Sequence, residues 1–174
     1  RATGELVALV NNDIEVIDGQ WLREMASLAV RPEIGAVGAK LLYPNGTIQH
    51  AGVTLGLHSL AGHAFRHVPG ASHGYFGRLR VVRTVSAVTA ACLLVRREVY
   101  DQVGGLDERD LKVAFNDVDF CLKVREAGLR NVLSPFAVLV HHESATRGLD
   151  DDPAKRERFV HEQQTMHRRW GALL

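Results

Sequence analysis

Short apolar runs that stop abruptly at polar clusters constrain the fold of this chain more than any other feature. Residues 6–10, LVALV, form one such run, and Asn11-Asn12-Asp13 follow directly. A continuous apolar run of this length is typical of a strand covered on both faces. Apolar residues with helical spacing then recur over 21–29, before a second apolar run at 35–43. The alternation predicts an α/β layered sheet whose ligands bind beyond the carboxyl ends of its strands.

The rest of the chain extends this pattern. Pro44-Asn45-Gly46 predicts a turn, and glycine and histidine without a clear period predict a long loop. The final helix is predicted to start at Asp150-Asp151-Asp152-Pro153, with one apolar stripe of Phe159, Met166 and Trp170. The predicted elements are strands at 48–55 and 81–95, the loop at 56–77, helices at 97–103 and 117–127, and extended chain at 132–140, broken at Pro135.

Composition narrows the class of protein. The 174 residues are 46% hydrophobic and 24% charged, which is typical of one globular domain. No run approaches the roughly 18 apolar residues of a membrane-spanning helix, and no export signal is recognisable. Cys92 and Cys121 lie far apart in apolar stretches, so buried free thiols in a reducing compartment are expected. A cytoplasmic location follows as an expectation.

Charge is distributed unevenly along the chain. The net charge is only +1, yet no acidic residue lies between Glu33 and Glu98. This stretch predicts a surface for phosphate or for an anionic membrane, although arginines scattered over a solvated face remain the alternative. Nucleic acid is disfavoured, because interleaved aromatic residues and a strongly basic chain are lacking. The basic residues of the stretch are Lys40, Arg66, Arg78, Arg80, Arg83, Arg96 and Arg97.

Three polar clusters lie where strands end or a helix begins. Aspartate with amide neighbours supplies hard oxygen ligands, which suit Mg²⁺ or Mn²⁺ when a diphosphate completes the shell. Asp117 and Asp119 are two residues apart on a helix, so only one of them points into a given cleft. Turn formation, helix capping and structural histidines remain the alternatives. The clusters are Asn11-Asn12-Asp13, Asn116-Asp117-Val118-Asp119 and His141-His142-Glu143.

Five motifs in order resemble family 2 glycosyltransferases of the GT-A fold, in their rhamnosyltransferase-like branch. The likeness runs from about Gly4 to Gly148, and five ordered motifs are far more specific than one. Ala90 stands where many members have glycine, Asn11 replaces the first aspartate of the family's Asp-x-Asp motif, and Asn116 stands where many have glutamate. The motifs are residues 9–13 (LVNND), 89–97 (TAACLLVRR), 104–108 (GGLDE), 116–119 (NDVD) and 141–144 (HHES).

The resemblance implies a mixed sheet flanked by helices and a metal-dependent, inverting transferase of cell-envelope polysaccharide. It would move a sugar from a nucleotide-diphosphate donor to a hydroxyl of a glycan or of a lipid-linked saccharide. Asp117 matches the catalytic base. The other implied roles are metal binding by Asp13 and His141, with His142 as the alternative histidine; donor-diphosphate binding by Asn11, Asn12 and Asp13; and acceptor binding by Asn116 and Asp119.

The same resemblance to family 2 glycosyltransferases also predicts the domain organisation and the partners of the chain. Residues 1–148 match the metal and acceptor part of the fold, and 149–174 are expected to add an amphipathic helix. The family's amino-terminal nucleotide-binding half has no counterpart here, so the sequence predicts a fragment with doubtful activity on its own. A sheet open at residues 6–10 also predicts self-association. Peripheral contact with the inner face of a membrane is a further expectation.

Two other functions remain open at this point. A catalytically silent sugar- or partner-binding domain would keep the same scaffold, since fold does not fix function. A zinc module is the other, because His63 and His67 have the i,i+4 spacing of one helix face. Gly62, Pro69 and Gly70 argue against a helix there. The histidines of this alternative are His50, His58, His63, His67 and His73.

Overall fold

A computed structural model of the protein describes residues 3–57, 60–142 and 153–174. Nine strands and four helices make up the described part. The strands are β1 (Leu6–Val10), β2 (Ile14–Val16), β3 (Ile34–Leu42), β4 (Ile48–His50), β5 (Val53–Leu55), β6 (Ala61–His63), β7 (Arg83–Val85), β8 (Cys92–Arg96) and β9 (Arg130–His141). The helices are α1 (Trp21–Ala29), α2 (Arg97–Gln102), α3 (Asn116–Glu126) and α4 (Pro153–Trp170), with a 3-10 turn at Tyr75–Gly77.

Two long parallel strands, β3 and β9, organise a mixed seven-stranded sheet in the order β1-β8-β3-β9-β2. Val37 lies opposite Val132, and Leu41 opposite Leu139. Strands β4 and β7 pair antiparallel with β3 and β9 respectively. The expected mixed α/β sheet is therefore confirmed. Within the described residues β1 pairs with β8 alone, so it forms an edge, and self-association through that edge stays a prediction.

The core has one apolar layer on each face of the sheet. On one face α1 buries Met25 and Leu28 against the sheet. On the other, α3 contributes Phe120, and α4 contributes Met166 and Trp170. Gly35 allows the close approach of α3, since a Cβ there would lie 2.1 Å from Cγ1 of Val124. Helix α4 thus belongs to the main core.

The strands predicted at 48–55 and 81–95 are both interrupted. The 48–55 strand divides into β4 and β5 at Gly52, whose φ of +92° is the left-handed conformation that favours glycine. Strand β5 then pairs with β6, inside the segment predicted as a loop, to form a separate two-stranded sheet. The 81–95 strand likewise divides into β7 and β8, which join opposite sides of the main sheet. A continuous apolar run could not reveal this change of partner.

The predicted break at Pro135 is found in the pairing of the strand and not in the strand itself. Strand β9 runs through it, and the register with β3 shifts between the pairs Ala39–Ser134 and Lys40–Val138. Proline lacks an N–H, but a bulge removes it from the ladder, so no hydrogen bond is lost. The strand thereby reaches His141 at its far end.

Two further expectations concern α4 and the cysteines. Met166 and Trp170 are buried as predicted, whereas Phe159 is about half exposed. The Asp150-Asp151-Asp152 start and the boundary near residue 148 lie outside the described residues. Both cysteines are free and buried, and burial raises the pKa of the Cys92 thiol to about 12. No helix in the described part is long and apolar enough to cross a membrane.

Candidate active site

The polar clusters meet in one cleft of about 690 Å³. Asn11, Asn12 and Asp13 line it directly after β1, and His141 lines it from the last position of β9. Short strand β2 brings these elements together, because Ile14 lies opposite His141 in the β2–β9 ladder. The main-chain N–H of His142 also donates to the carbonyl of Asp13 over 3.0 Å. Residues about 130 apart in sequence thus lie side by side.

Asp13 and His141 form the centre of this cleft. Nε2 of His141 lies 3.1 Å from Oδ1 of Asp13, and Nδ2 of Asn11 approaches the same ring nitrogen at 3.2 Å. The Oδ1 atom of Asp13 is buried, yet within residues 3–57, 60–142 and 153–174 no hydrogen-bond donor reaches it in good geometry. A buried carboxylate oxygen without a donor is costly, so its position demands an explanation.

Gln49 supplies that explanation by fixing the tautomer of His141. Its Oε1 lies 2.6 Å from Nδ1 of His141, so Nδ1 carries the proton and donates it to the amide oxygen. In the neutral ring, Nε2 then presents a lone pair toward Asp13. Sequence reasoning missed Gln49, because this residue of β4 lies 92 positions from His141 and belongs to no recognisable motif.

Nε2 of His141 and Oδ1 of Asp13 therefore face each other at 3.1 Å. This arrangement fits a divalent cation, since a ligating histidine normally donates its other ring N–H to an oxygen. No group of three or more His, Cys, Asp or Glu in the described ranges forms a complete protein shell. Mg²⁺ is commonly held by one or two protein ligands together with substrate phosphates and water. The donor set fits such a shared shell.

Asp117 enters the cleft from the first turn of α3. Its Oδ2 accepts the main-chain N–H of Ala90 over 3.1 Å, and its Oδ1 accepts that of Val118 over 2.8 Å. Two backbone donors fix the carboxylate in one orientation. Phe115, just before the helix, has a left-handed φ of 64°, which aims the start of α3 toward the β8 loop. Asn116 lines the same cleft.

Glu162 of α4 supports this helix start from behind. Its side chain is almost fully buried, and its two oxygens each accept a main-chain N–H over 3.0 Å, from Val113 and from Ala114. The bidentate contact fixes the segment that leads into Phe115 and Asp117. A glutamate in a charged helical stretch gives no sequence signal for such a role, so sequence reasoning missed it.

Asp119 corrects one predicted role. The residue does not line the cleft, and its side chain is buried on the opposite side of α3. Its Oδ1 accepts Nε1–H of Trp170 over 2.9 Å, and Nζ of Lys123 lies 3.2 Å from its Oδ2. An acceptor in the cleft cannot reach it. Asp117 and Asp119 do diverge, as their spacing of two required.

His142 also lies apart from the cleft. It is exposed, and its Nε2 lies 2.8 Å from Oε2 of Glu15. Of these two adjacent histidines, His141 is the one whose side chain approaches the carboxylate of Asp13. Alternation of side chains along β9 explains the difference, because neighbouring positions point to opposite faces of a strand.

Arg169 joins α4 to the acidic residues near the cleft. Its guanidinium contacts Asp107 at 2.7 Å and Asp119 at 3.2 Å. Burial alone would raise the pKa of Asp107, but the main-chain N–H of Asp110 and the Arg169 guanidinium outweigh it and lower that pKa to about 2. Together with the hydrogen bond from Trp170 to Asp119, these contacts connect α3 to α4. We name Asp107, Asp119, Arg169 and Trp170 the α3–α4 joint.

The histidines of the zinc alternative serve separate structural contacts. His50 is fully buried; its Nδ1 lies 2.8 Å from Nδ1 of His63, and burial holds the pKa of His50 well below its ordinary value. His67 stacks on Tyr43, and His73 contacts Arg80. His58 lies outside the described residues. The four described histidines therefore do not converge on one point that would hold zinc.

Known proteins resemble this chain over part of their length. No family model matches the sequence. An uncharacterized protein of Sinorhizobium fredii is 58% identical over 98% of this chain. The O-antigen biosynthesis protein RfbC of Myxococcus xanthus is 47% identical over 88% of it. The N-acetylglucosaminyl-diphospho-decaprenol L-rhamnosyltransferase of Mycobacterium tuberculosis is 28% identical over 83%. The chain spans 19%, 12% and 49% of these relatives respectively.

A solved structure shows the same fold. The mannosyltransferase PcManGT from Pyrobaculum calidifontis, in complex with GDP-Man and Mn²⁺, superposes with a TM-score of 0.58 at 18% identity. The match covers 96% of this chain and 40% of that one. The predicted fold class is confirmed: the chain has the fold of part of a GT-A glycosyltransferase. The resemblance to family 2 enzymes of the rhamnosyltransferase-like kind is likewise supported by the named relatives.

Proposed function

We propose that this chain carries the metal and base residues of an inverting glycosyltransferase. It transfers a sugar from a nucleotide-diphosphate sugar to an acceptor hydroxyl. The observation that carries the proposal is the meeting of Asp13, His141 and Asp117 in one cleft. Asp13 and His141 on one side of the cleft are suited to metal binding, and the oriented carboxylate of Asp117 on the other is suited to accept a proton. Such a transfer needs both functions.

Asp13 and His141 are the residues that hold Mg²⁺ or Mn²⁺ in this proposal. A divalent ion held there would supply positive charge against the diphosphate leaving group. Gln49 accepts the Nδ1–H of His141 and so holds the ring with Nε2 facing Oδ1 of Asp13. Asn11 and Asn12 border the same position, where their amides are donors for phosphate oxygens. Asn11 is an amide where the family has a carboxylate, so the site carries one negative charge fewer.

Asp117 is the general base of the proposal. Each carboxylate oxygen accepts one backbone N–H and keeps a further lone pair, so the group can take the acceptor's proton without turning. Direct attack on the anomeric carbon needs no covalent intermediate and inverts its configuration. Asn116 borders the cleft beside this base and is a hydrogen-bonding partner for the acceptor.

The relatives indicate the class of acceptor. One is named for O-antigen biosynthesis, and another is named as a rhamnosyltransferase acting on N-acetylglucosaminyl-diphospho-decaprenol. The structural neighbour was solved with a nucleotide sugar and Mn²⁺. By extension, we propose a saccharide of the cell envelope as acceptor, either a glycan or a lipid-linked saccharide.

The direct test is a glycosyl-transfer assay on the purified protein. Purified protein, a panel of nucleotide-diphosphate sugars and a lipid-linked saccharide should yield a product whose new bond has the opposite anomeric configuration to the donor, read by NMR. Chelation should abolish transfer, and added Mn²⁺ should restore it. Donor binding without transfer or donor hydrolysis would instead identify a silent binding domain. Retained configuration would contradict the direct attack assisted by Asp117.

A further inference from the structure

The 3-10 turn at Tyr75–Gly77 holds two aromatic side chains out into solvent. Tyr75 is 73% exposed and Phe76 is 88% exposed. Their rings meet edge to face with centroids 4.6 Å apart. Single exposed apolar residues are common on proteins, but an adjacent pair of exposed aromatic rings is a feature that calls for a partner.

The backbone fixes this exposure. Phe76 has a left-handed φ of 50° between Gly74 and Gly77, whose φ angles are 67° and 72°. Such a conformation is strained for a large L side chain and persists only where the surroundings determine it. The N–H of Gly77 donates to the carbonyl of Gly74, and Leu79, which is 1% exposed, anchors the end of the turn. The rings are therefore held out by a closed turn.

Positive charge flanks the rings. Arg78 and Arg80 are both exposed, and no acidic residue lies anywhere between Glu33 and Glu98. The apolar surface continues into Val81 and Val82, which are 53% and 37% exposed. We name Tyr75, Phe76, Arg78 and Arg80 the aromatic–arginine turn. None of these four residues lines the cleft of Asp13 and Asp117.

We propose that the aromatic–arginine turn is a docking element for a membrane surface that contains anionic lipid. Aromatic rings favour the boundary between headgroups and acyl chains, and arginines bind the phosphates above it. Each cation near an anionic leaflet adds affinity that salt weakens. Two rings and two arginines give weak, reversible binding. This proposal does not depend on glycosyl transfer.

Flotation of the purified protein with vesicles tests the proposal. Phosphatidylcholine vesicles that contain about 30 mol% phosphatidylglycerol provide the anionic surface. Vesicles of pure phosphatidylcholine are the comparison. We expect binding to the anionic vesicles that falls as salt rises, and little binding to the zwitterionic ones. Absence of binding to anionic vesicles at low salt would overturn the proposal, whether or not the protein transfers sugar.

Variants locate the contact. Phe76→Gly removes a ring and suits the left-handed backbone, so the fold should keep its thermal stability while vesicle affinity falls about tenfold. Arg78→Gln with Arg80→Gln should reduce affinity at low salt by about fivefold per arginine. Phe159→Ser, at a half-exposed aromatic residue on α4, is the matched control and should bind as wild type. Wild-type affinity of the Phe76→Gly and arginine variants would overturn the assignment to this turn.

Discussion

Asp117 and Asp119 belong to one helix turn but to two different regions of the molecule. Asp117 opens into the cleft, and its carboxylate accepts hydrogen bonds from two backbone N–H groups. Asp119 is sealed in the α3–α4 joint, where an arginine, a lysine and an indole N–H surround it. The same type of side chain is therefore available for chemistry at Asp117 and has a structural role at Asp119.

The difference shows how the joint serves the cleft. Buried ionic contacts hold α4 against α3, and Glu162 of α4 then fixes the segment leading to Asp117. The negative charge of Asp119 in the joint is paired with Arg169 and Lys123, whereas the carboxylate of Asp117 faces the cleft. Activity should thus be sensitive to the cleft residues, and stability to the joint residues.

Asp117→Asn should give the largest effect. Loss of the general base is expected to reduce transfer by about 10² to 10⁴-fold. The substitution keeps the size of the side chain and one of its two backbone hydrogen bonds, so stability should change by about 1 kcal/mol or less. Transfer kinetics and urea unfolding of the purified protein measure the two quantities. Near-normal turnover would remove Asp117 from the mechanism.

Asp119→Asn should show the reverse pattern. Removing this buried charge leaves Lys123 and Arg169 with fewer partners and should lower the free energy of unfolding by about 3 kcal/mol. The affinity for Mn²⁺ with pyrophosphate should stay at the wild-type value below the unfolding transition. Urea denaturation and calorimetry check the pair of results. Intact stability with lost transfer would place Asp119 among the functional residues after all.

Glu162→Gln should have a smaller effect that joins the two regions. One of its two backbone contacts is lost, which should cost about 1.5 to 2 kcal/mol of stability. Because the helix start then loosens, kcat should fall more than KM rises, and added stability from an osmolyte should not restore kcat. A variant whose kcat is unchanged would restrict Glu162 to a structural role.

Much of the fold could be read from the sequence because local chemistry dictated it. The apolar run at 6–10, the turn at Pro44-Asn45-Gly46 and the helix at α3 depend on patterning and turn residues that are visible nearby. Asn11, Asp13, Asp117 and His141, which line one cleft, likewise lie after or at the end of strands and at a helix start, where the sequence predicts ligand-binding side chains.

The remainder depended on contacts distant in sequence. Gln49 acts on a histidine 92 residues away, and Glu162 on backbone 48 or 49 residues away. Neither side chain differs from an ordinary surface residue in its local sequence. The burial of Asp119 could not be predicted locally either. It depends on the contacts of Trp170 and Arg169, about 50 residues away, with this carboxylate.

Mn²⁺ binding in the presence of inorganic pyrophosphate tests the central claim most directly, with His141→Ala and His142→Ala as a matched pair. Pyrophosphate stands for the donor's diphosphate, and electron paramagnetic resonance of free Mn²⁺ reports the affinity. Asp13→Asn and His141→Ala should weaken binding at least about tenfold, and Gln49→Leu by about 10 to 100-fold. His142→Ala should bind as wild type. Equal Mn²⁺ affinity in the His141→Ala and His142→Ala proteins would contradict the account.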